Sequence, residues 1–321
     1  MNRTRWGSDA GFSLMELLVA TGVLLAVSGM VTSALLQMTS AQRTIANRTD
    51  MHSGVRSATA LLQQEVGQAG RIALDPSTML SAAAISGDPT AALTDASGVF
   101  VGELLVIGAK GTLSQEETIK VTAISGNTLT MNYITSNGVI GSGFHFPHEA
   151  GATVTAGGAF GSGVVPPNVT NGSTASRLKL YGDINGDGKM VYVEYFCDTT
   201  NHLLYRTMID WKTVAKPGAS PADVLLDNVW PNPPQTPGGA NLPCFQYQMD
   251  PLSNTYVLDV AVTLTAQTQQ IDPVTRKYQQ ETKALLNVSP RNTIGAWQSA
   301  GGNVNRVQPM PPSITNLLSS Q

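Results

Sequence analysis

Residues Phe12 to Leu36 form an apolar run near the N-terminus, and they constrain this chain more than any other stretch. One carboxylate, Glu16, interrupts the run; Gly11 directly precedes it; no charged residue occurs from Leu17 to Gln42. About 20 apolar residues rising 1.5 Å each span the roughly 30 Å hydrocarbon core of a bilayer. A lone acid at the start of such a helix is costly and calls for a partner. Ahead of the run, residues 1–11 make a short polar leader with Arg3 and Arg5 against Asp9. A positive flank favours a cytoplasmic N-terminus, so the bulk of the chain is expected to be exported.

Two ordinary explanations cover part of this pattern. A secretory signal peptide is cut after its apolar core at small residues, and Ala26 or Ala34 would serve weakly. The run is too long for such a core, and its helical pattern continues beyond it. A plain signal anchor explains the hydrophobicity but not Glu16.

Gly11-Phe12-Ser13-Leu14-Met15-Glu16-Leu17-Leu18-Val19-Ala20 resembles the class III signal of type IV prepilins and type II secretion pseudopilins. The resemblance implies cleavage between Gly11 and Phe12 by a prepilin peptidase/N-methyltransferase, followed by N-methylation of Phe12. That would leave a mature chain of 310 residues, 11 fewer than the full 321. Glu16 lies one helical turn from the new Phe12 amine. In family terms its carboxylate pairs with the Phe12 amine of a neighbouring subunit as the filament grows. The implied fold is α+β and pilin-like, with a long N-terminal helix packed on a β-rich head. The implied partners are other minor and major pilins and the inner-membrane assembly platform.

Helical periodicity runs on past the membrane-length segment. No proline occurs from Met1 to Asp75. Ile45, Met51, Val55, Ala58, Leu62 and Val66 recur at mostly three- and four-residue spacing, which marks one face of an amphipathic helix. Arg43, Arg48, Arg56, Gln63, Gln64 and Glu65 are placed largely on the opposite face. Gly67, Gly70 and Pro76 signal the stop. The expected organisation is a leader over 1–11, a long helix over 12–70 with 12–36 in the membrane or filament core, a β-rich periplasmic head over 71–298 and a flexible tail over 299–321.

The head reads as short strands between turn residues. Expected strands are Glu103–Ala109, Thr118–Ala123, Thr128–Ile134, Arg177–Tyr181, Met190–Phe196, Leu203–Met208, Val224–Val229, Phe245–Met249, Tyr256–Ala266 and Thr282–Val288. Ser136–Asn171 and Lys216–Ala222 read as loops, and Trp230–Pro243, with five prolines, as irregular. The strand order, with Arg291-Asn292 after the last strand, resembles PilW-type minor pilins and the related J-type minor pseudopilins.

Asp183, Asn185 and Asp187, with Gly188 and then Glu194, satisfy the spacing of an EF-hand Ca²⁺ loop. Glu194 falls on an expected strand and would point away from the loop. Two readings stay open: a plain hairpin turn, and a partial Ca²⁺ site completed elsewhere. Cys197 and Cys244 are the only cysteines, and in an exported head an even pair suggests a disulfide. His145, His148 and Glu149 read as a solvated loop rather than a metal site. No nucleophile-and-base motif appears, so no enzyme is expected. The net charge is −3 with scattered cations, so nucleic acid is not an expected partner. The favoured expectation is a minor pilin of a type IV pilus, held in the inner membrane and then incorporated at or near the filament tip or as an assembly primer. The near alternative is a minor pseudopilin of a type II secretion system. A membrane-anchored Ca²⁺- or ligand-binding adhesin is the alternative of another class.

Overall fold

The computed structural model describes residues 13–108, 110, 115–135, 138, 140–161, 163–292 and 307–319. It has an α+β layout, one long N-terminal helix followed by a β-rich region. Helix α1 covers Leu14–Gln68 without a break. The chain forms two units, one made of the helix to His52 with Thr268–Gln279, the other of Ser53–Gln267 with the chain from Gln280.

In the first unit, the apolar segment is exposed on every side; Leu18, Leu24, Leu25, Met30 and Leu36 are all more than 60% exposed. A helix that is apolar all round is stable only when something apolar surrounds it. Its hydroxyls do not need water. Thr21, Thr32 and Thr39 each donate to the carbonyl four residues back, at 2.9, 2.8 and 2.8 Å. This back-bonding is how such side chains are satisfied in hydrocarbon.

In the second unit, Val55, Ala58, Leu62 and Val66 are buried as their spacing predicts. Ile45, given to the same face, is exposed. Glu65 corrects the pattern: it is 3% exposed rather than solvated, because it lies three residues from Leu62 and faces the same way.

Three antiparallel sheets and one small parallel pair build the second unit. The first sheet has the order β1(Thr90–Ala92)-β4(Thr128–Ile134)-β3(Glu117–Ser125)-β2(Leu104–Ile107)-β6(Val154–Ala156), with β5(Ile140–Ser142) also on β4. Its core holds Leu105, Ile107, Ile119, Val121, Leu129, Met131 and Phe144. The second sheet has the order β11(Val224–Asp227)-β10(Leu203–Asp210)-β9(Val191–Asp198)-β8(Arg177–Gly182). The third centres on β14(Val257–Gln267), which pairs with β12(Val229–Trp230), β13(Phe245–Met249) and β15(Gln280–Val288). The expected strand Val224–Val229 is thus split between two sheets. The break is at Asn228, whose φ of 53° is left-handed and tolerated by asparagine.

The loop expected over Ser136–Asn171 contains β5, β6 and β7(Ala159–Phe160). The flexible tail is corrected as well. β16(Val307–Gln308) pairs in parallel with β7, and α2(Pro312–Ser319) buries Ile314, Leu317 and Leu318. These join Phe100, Phe160, Tyr181, Tyr192 and Trp211 in a second core. Docking follows from an apolar i, i+3, i+4 face, and Pro312 supplies the fixed φ suited to a first helical position.

After α1 the chain threads between strands at a crossing of glycines. Gly70 donates to the Tyr181 carbonyl at 3.0 Å and accepts from Phe160 at 2.9 Å. A Cβ on Gly163 would stand 1.9 Å from the Gly70 nitrogen, and both residues have positive φ. Only glycine permits that approach.

Candidate functional site

The start of α1 carries the residues the sequence singles out. Gly11 and Phe12 lie outside the described residues. Ser13 and Glu16 form a reciprocal cap: the Glu16 N–H donates to Ser13 Oγ at 3.2 Å, and the Ser13 N–H donates to Glu16 Oε2 at 3.4 Å. This arrangement satisfies two orphan donors and sets a negative charge against the positive end of the helix dipole. Glu16 is exposed, so its carboxylate stays open to a further cation. Leu14, Met15, Leu17 and Leu18 surround it with exposed apolar surface.

Further along α1, Glu65 anchors the helix to the second sheet. Arg206 on β10 donates through Nε to Oε1 at 3.0 Å and to Oε2 at 3.1 Å, and through a terminal nitrogen to Oε1. The Tyr195 hydroxyl on β9 also donates to Oε2. Burial would lower the Arg206 pKa, but the Glu65 hydrogen bond and charge outweigh it and the net direction is upward. At Gly54 the helix passes so close to β11 that a Cβ would meet Leu226 Cδ1 at 2.9 Å. No local pattern announces this pair, because its members are 141 residues apart.

A second buried carboxylate, Glu194, accepts from Arg177, Lys216 and the Tyr192 hydroxyl. Burial pushes its pKa up; the bond and charge of Lys216, aided by Tyr192 and Lys179, prevail and hold it low. The groove beside it, about 340 Å³, is floored by Phe196 and Tyr205, whose rings stack at 6.0 Å. Lys179 donates to the Asn171 carbonyl at 2.8 Å, and burial lowers its pKa to about 8. Glu194 therefore belongs to this cluster and not to the Asp183 loop.

Asp183 turns inward while residues 185–189 stay exposed. Asp183 is fully buried; it accepts from the Asp187 N–H at 3.0 Å and the Gly188 N–H at 3.3 Å, with Arg71 Nε 3.4 Å away. Asp187 accepts from the Lys189 N–H at 3.0 Å, and Asn185 donates toward Met208 Sδ at 3.5 Å. The three candidate Ca²⁺ ligands are thus engaged as turn-formers, with a guanidinium beside the innermost one. Among the described residues no group of three or more His, Cys, Asp or Glu side chains could hold a metal ion.

Cys197 on β9 and Cys244 ahead of β13 are joined in a disulfide that links the second and third sheets. His148 departs from the solvated-loop expectation. It is 2% exposed, and its Nε2 is 2.6 Å from Glu117 Oε1 on β3. The carboxylate also accepts from the His145 N–H at 2.8 Å, so β3 organises the whole segment. His202 stacks on Trp230 at 4.2 Å and donates through Nδ1 to the Val229 carbonyl at 3.0 Å.

The chain matches no protein-family model, no curated protein and no solved structure.

Proposed function

We propose that this chain is a non-enzymatic subunit of a type IV pilus-like filament, made as a prepilin and stored in the inner membrane with its head in the periplasm. The observation that carries the reading is where the helix begins. An apolar helix, exposed all round, starts at Leu14, two residues after the Gly11–Phe12 junction. The one carboxylate of its apolar segment, Glu16, stands in the first turn. Cleavage at that junction would remove the leader and keep the helix, and Glu16 would then face a new α-amine. The same segment serves two surroundings in turn, lipid before assembly and neighbouring helices after it. An unbroken α1 gives a rod of roughly 80 Å at 1.5 Å per residue, well beyond a bilayer.

Within that reading, the size of the head and the strand order that resembles PilW-type proteins favour a minor subunit, placed at or near the tip or used to prime assembly. Other pilins, the prepilin peptidase/N-methyltransferase and the assembly platform are its partners. The Asp183 carboxylate, buried and engaged by two backbone N–H groups beside Arg71, argues against a Ca²⁺-dependent adhesin. Mass spectrometry of the mature N-terminus is the test. The expected start is N-methylated Phe12; a native chain starting at Met1, or after Leu36, would overturn the proposal.

A further inference from the structure

The loop joining β14 to β15, Thr268–Gln279, forms an arm against α1. Asp272 accepts from Thr44 Oγ1 at 3.0 Å, Arg48 lies 4.0 Å from Asp272 Oδ2, and Arg48 also donates to Gln279. The Asp272 carboxylate is held there by the N–H groups of Val274, at 2.8 Å, and Thr275, at 3.3 Å. These bonds, the one from Val274 foremost, also hold its pKa below the ordinary value. The order of contacts fixes the direction of the arm. Gln279, near its base, meets Arg48, and Asp272, next to its tip, reaches Thr44. The tip therefore points toward the N-terminal, apolar end of the helix.

The tip exposes apolar side chains among its polar ones. Ile271, Val274 and Tyr278 are 51%, 69% and 49% exposed, and Ile45 beside the contact is 64% exposed. The charges around them are Arg43, Arg48, Arg276 and Lys277 against Asp50 and Asp272. Asp272 and Arg48 face each other across the contact, which leaves Arg43, Arg276 and Lys277 against Asp50, so the cations dominate. The height of this patch follows from the sequence of α1. Leu17 to Gln42 is 26 residues without a charge, roughly 39 Å of helix. A bilayer with both headgroup layers is about 40–45 Å thick. Arg43 and Thr44 therefore stand at the outer headgroup level when the helix spans.

We propose that the arm is a second membrane contact, in which Val274, Ile271 and Tyr278 enter the headgroup layer of the leaflet on the head side while Arg276 and Lys277 meet anionic phospholipid. An aromatic ring and aliphatic side chains flanked by cations suit that layer. The contact rests on the membrane-stored form of the function proposed above. It would set the tilt and rotation of α1 before the subunit leaves the bilayer.

The test uses the full-length protein with one added thiol, Val274→Cys, carrying an environment-sensitive fluorophore. The protein is reconstituted into vesicles of phosphatidylcholine, with or without phosphatidylglycerol. Labels at Leu24→Cys and at Val214→Cys, which is 86% exposed in the head, serve as references for lipid and water. The expected result at 274 is blue-shifted emission, quenching by lipids spin-labelled near the headgroup, and severalfold protection from aqueous acrylamide relative to 214. Phosphatidylglycerol should strengthen all three, and Arg276→Gln with Lys277→Gln should remove that increment. If 24 is quenched by lipid while 274 is as accessible as 214, the arm contact fails and the anchored reading stands. If 24 is itself open to acrylamide, both fail. Protection at 274 without lipid quenching, appearing only as protein density rises, would assign the patch to a second copy of the chain and overturn the proposal.

Discussion

Arg206→Met tests whether the helix is pinned to the sheet by a charge pair or merely rests on it. The substitution leaves Glu65, whose side chain is 4% exposed, with one neutral donor, Tyr195. Breaking a buried pair from one side costs roughly 3–5 kcal/mol, because the remaining charge is uncompensated. The Arg206 side chain is 20% exposed, so water can reach part of the vacated space and the lower end, about 3 kcal/mol, is expected. At about 2–4 °C per kcal/mol for a domain of this size, the melting midpoint should fall by about 6–12 °C. Adding Glu65→Leu removes the stranded charge but leaves the Tyr195 hydroxyl unmatched at about 1–3 kcal/mol, so the double variant regains the loss only in part. Adding Tyr195→Phe should recover that remainder. The measurement is thermal unfolding of the full chain in detergent, followed by circular dichroism through the single, double and triple variants. A triple variant as unstable as Arg206→Met would refute the reasoning, since the loss would then come from packing and not from charge.

Four further outcomes are expected. Replacing Cys197 and Cys244 with serine opens a crosslink between positions 47 apart and should cost at most about 4 kcal/mol, read as a lower denaturation midpoint; unchanged midpoints would place the stabilisation elsewhere. Burial raises the Glu103 pKa to about 8 from an ordinary 4.5, so the folded protein keeps a proton that the unfolded chain releases. Its contribution is fullest below about pH 4.5 and is lost as pH rises toward about 8, and Glu103→Gln should flatten that limb of a stability–pH curve. Leu317→Ala should destabilise by about 2–5 kcal/mol in chemical unfolding if α2 is part of the core, and by almost nothing if the tail is loose. Glu16→Ala should leave the head's melting curve unchanged while abolishing recovery of the protein in sheared filaments; assembly at wild-type levels would remove Glu16 from the mechanism.

How much was legible depends on how local each cause is. The long helix could be read because its apolar face repeats every three or four residues and no proline interrupts it. The hairpin over Glu117–Ile134 could be read because alternation meets a Gly126-Asn127 turn, and Ser125 does pair with Thr128. β5, β6 and β7 could not: each is two or three residues long, too short for a period, and β6 and β7 exist only through pairing with distant strands. Glu65 and His148 were misplaced for the same reason. Their partners, Arg206 and Glu117, lie 141 and 31 residues away. The C-terminal helix did leave a signal in Ile314, Leu317 and Leu318, outweighed by the Gly, Asn, Pro and Ser around it. At the candidate site, the turn residues Asp183, Asn185 and Asp187 satisfy two motifs equally by composition. Only the direction of the Asp183 oxygens separates them.

The glycine crossing at the end of α1 has a mechanical consequence. Gly70 bonds to Tyr181 and Phe160, and the Arg71 carbonyl accepts from Asp183, just beyond the point where Glu65 grips Arg206. A pull on the end of α1 therefore meets one charge pair and three backbone hydrogen bonds within residues 65–71, so several links must give before this end of the helix comes away.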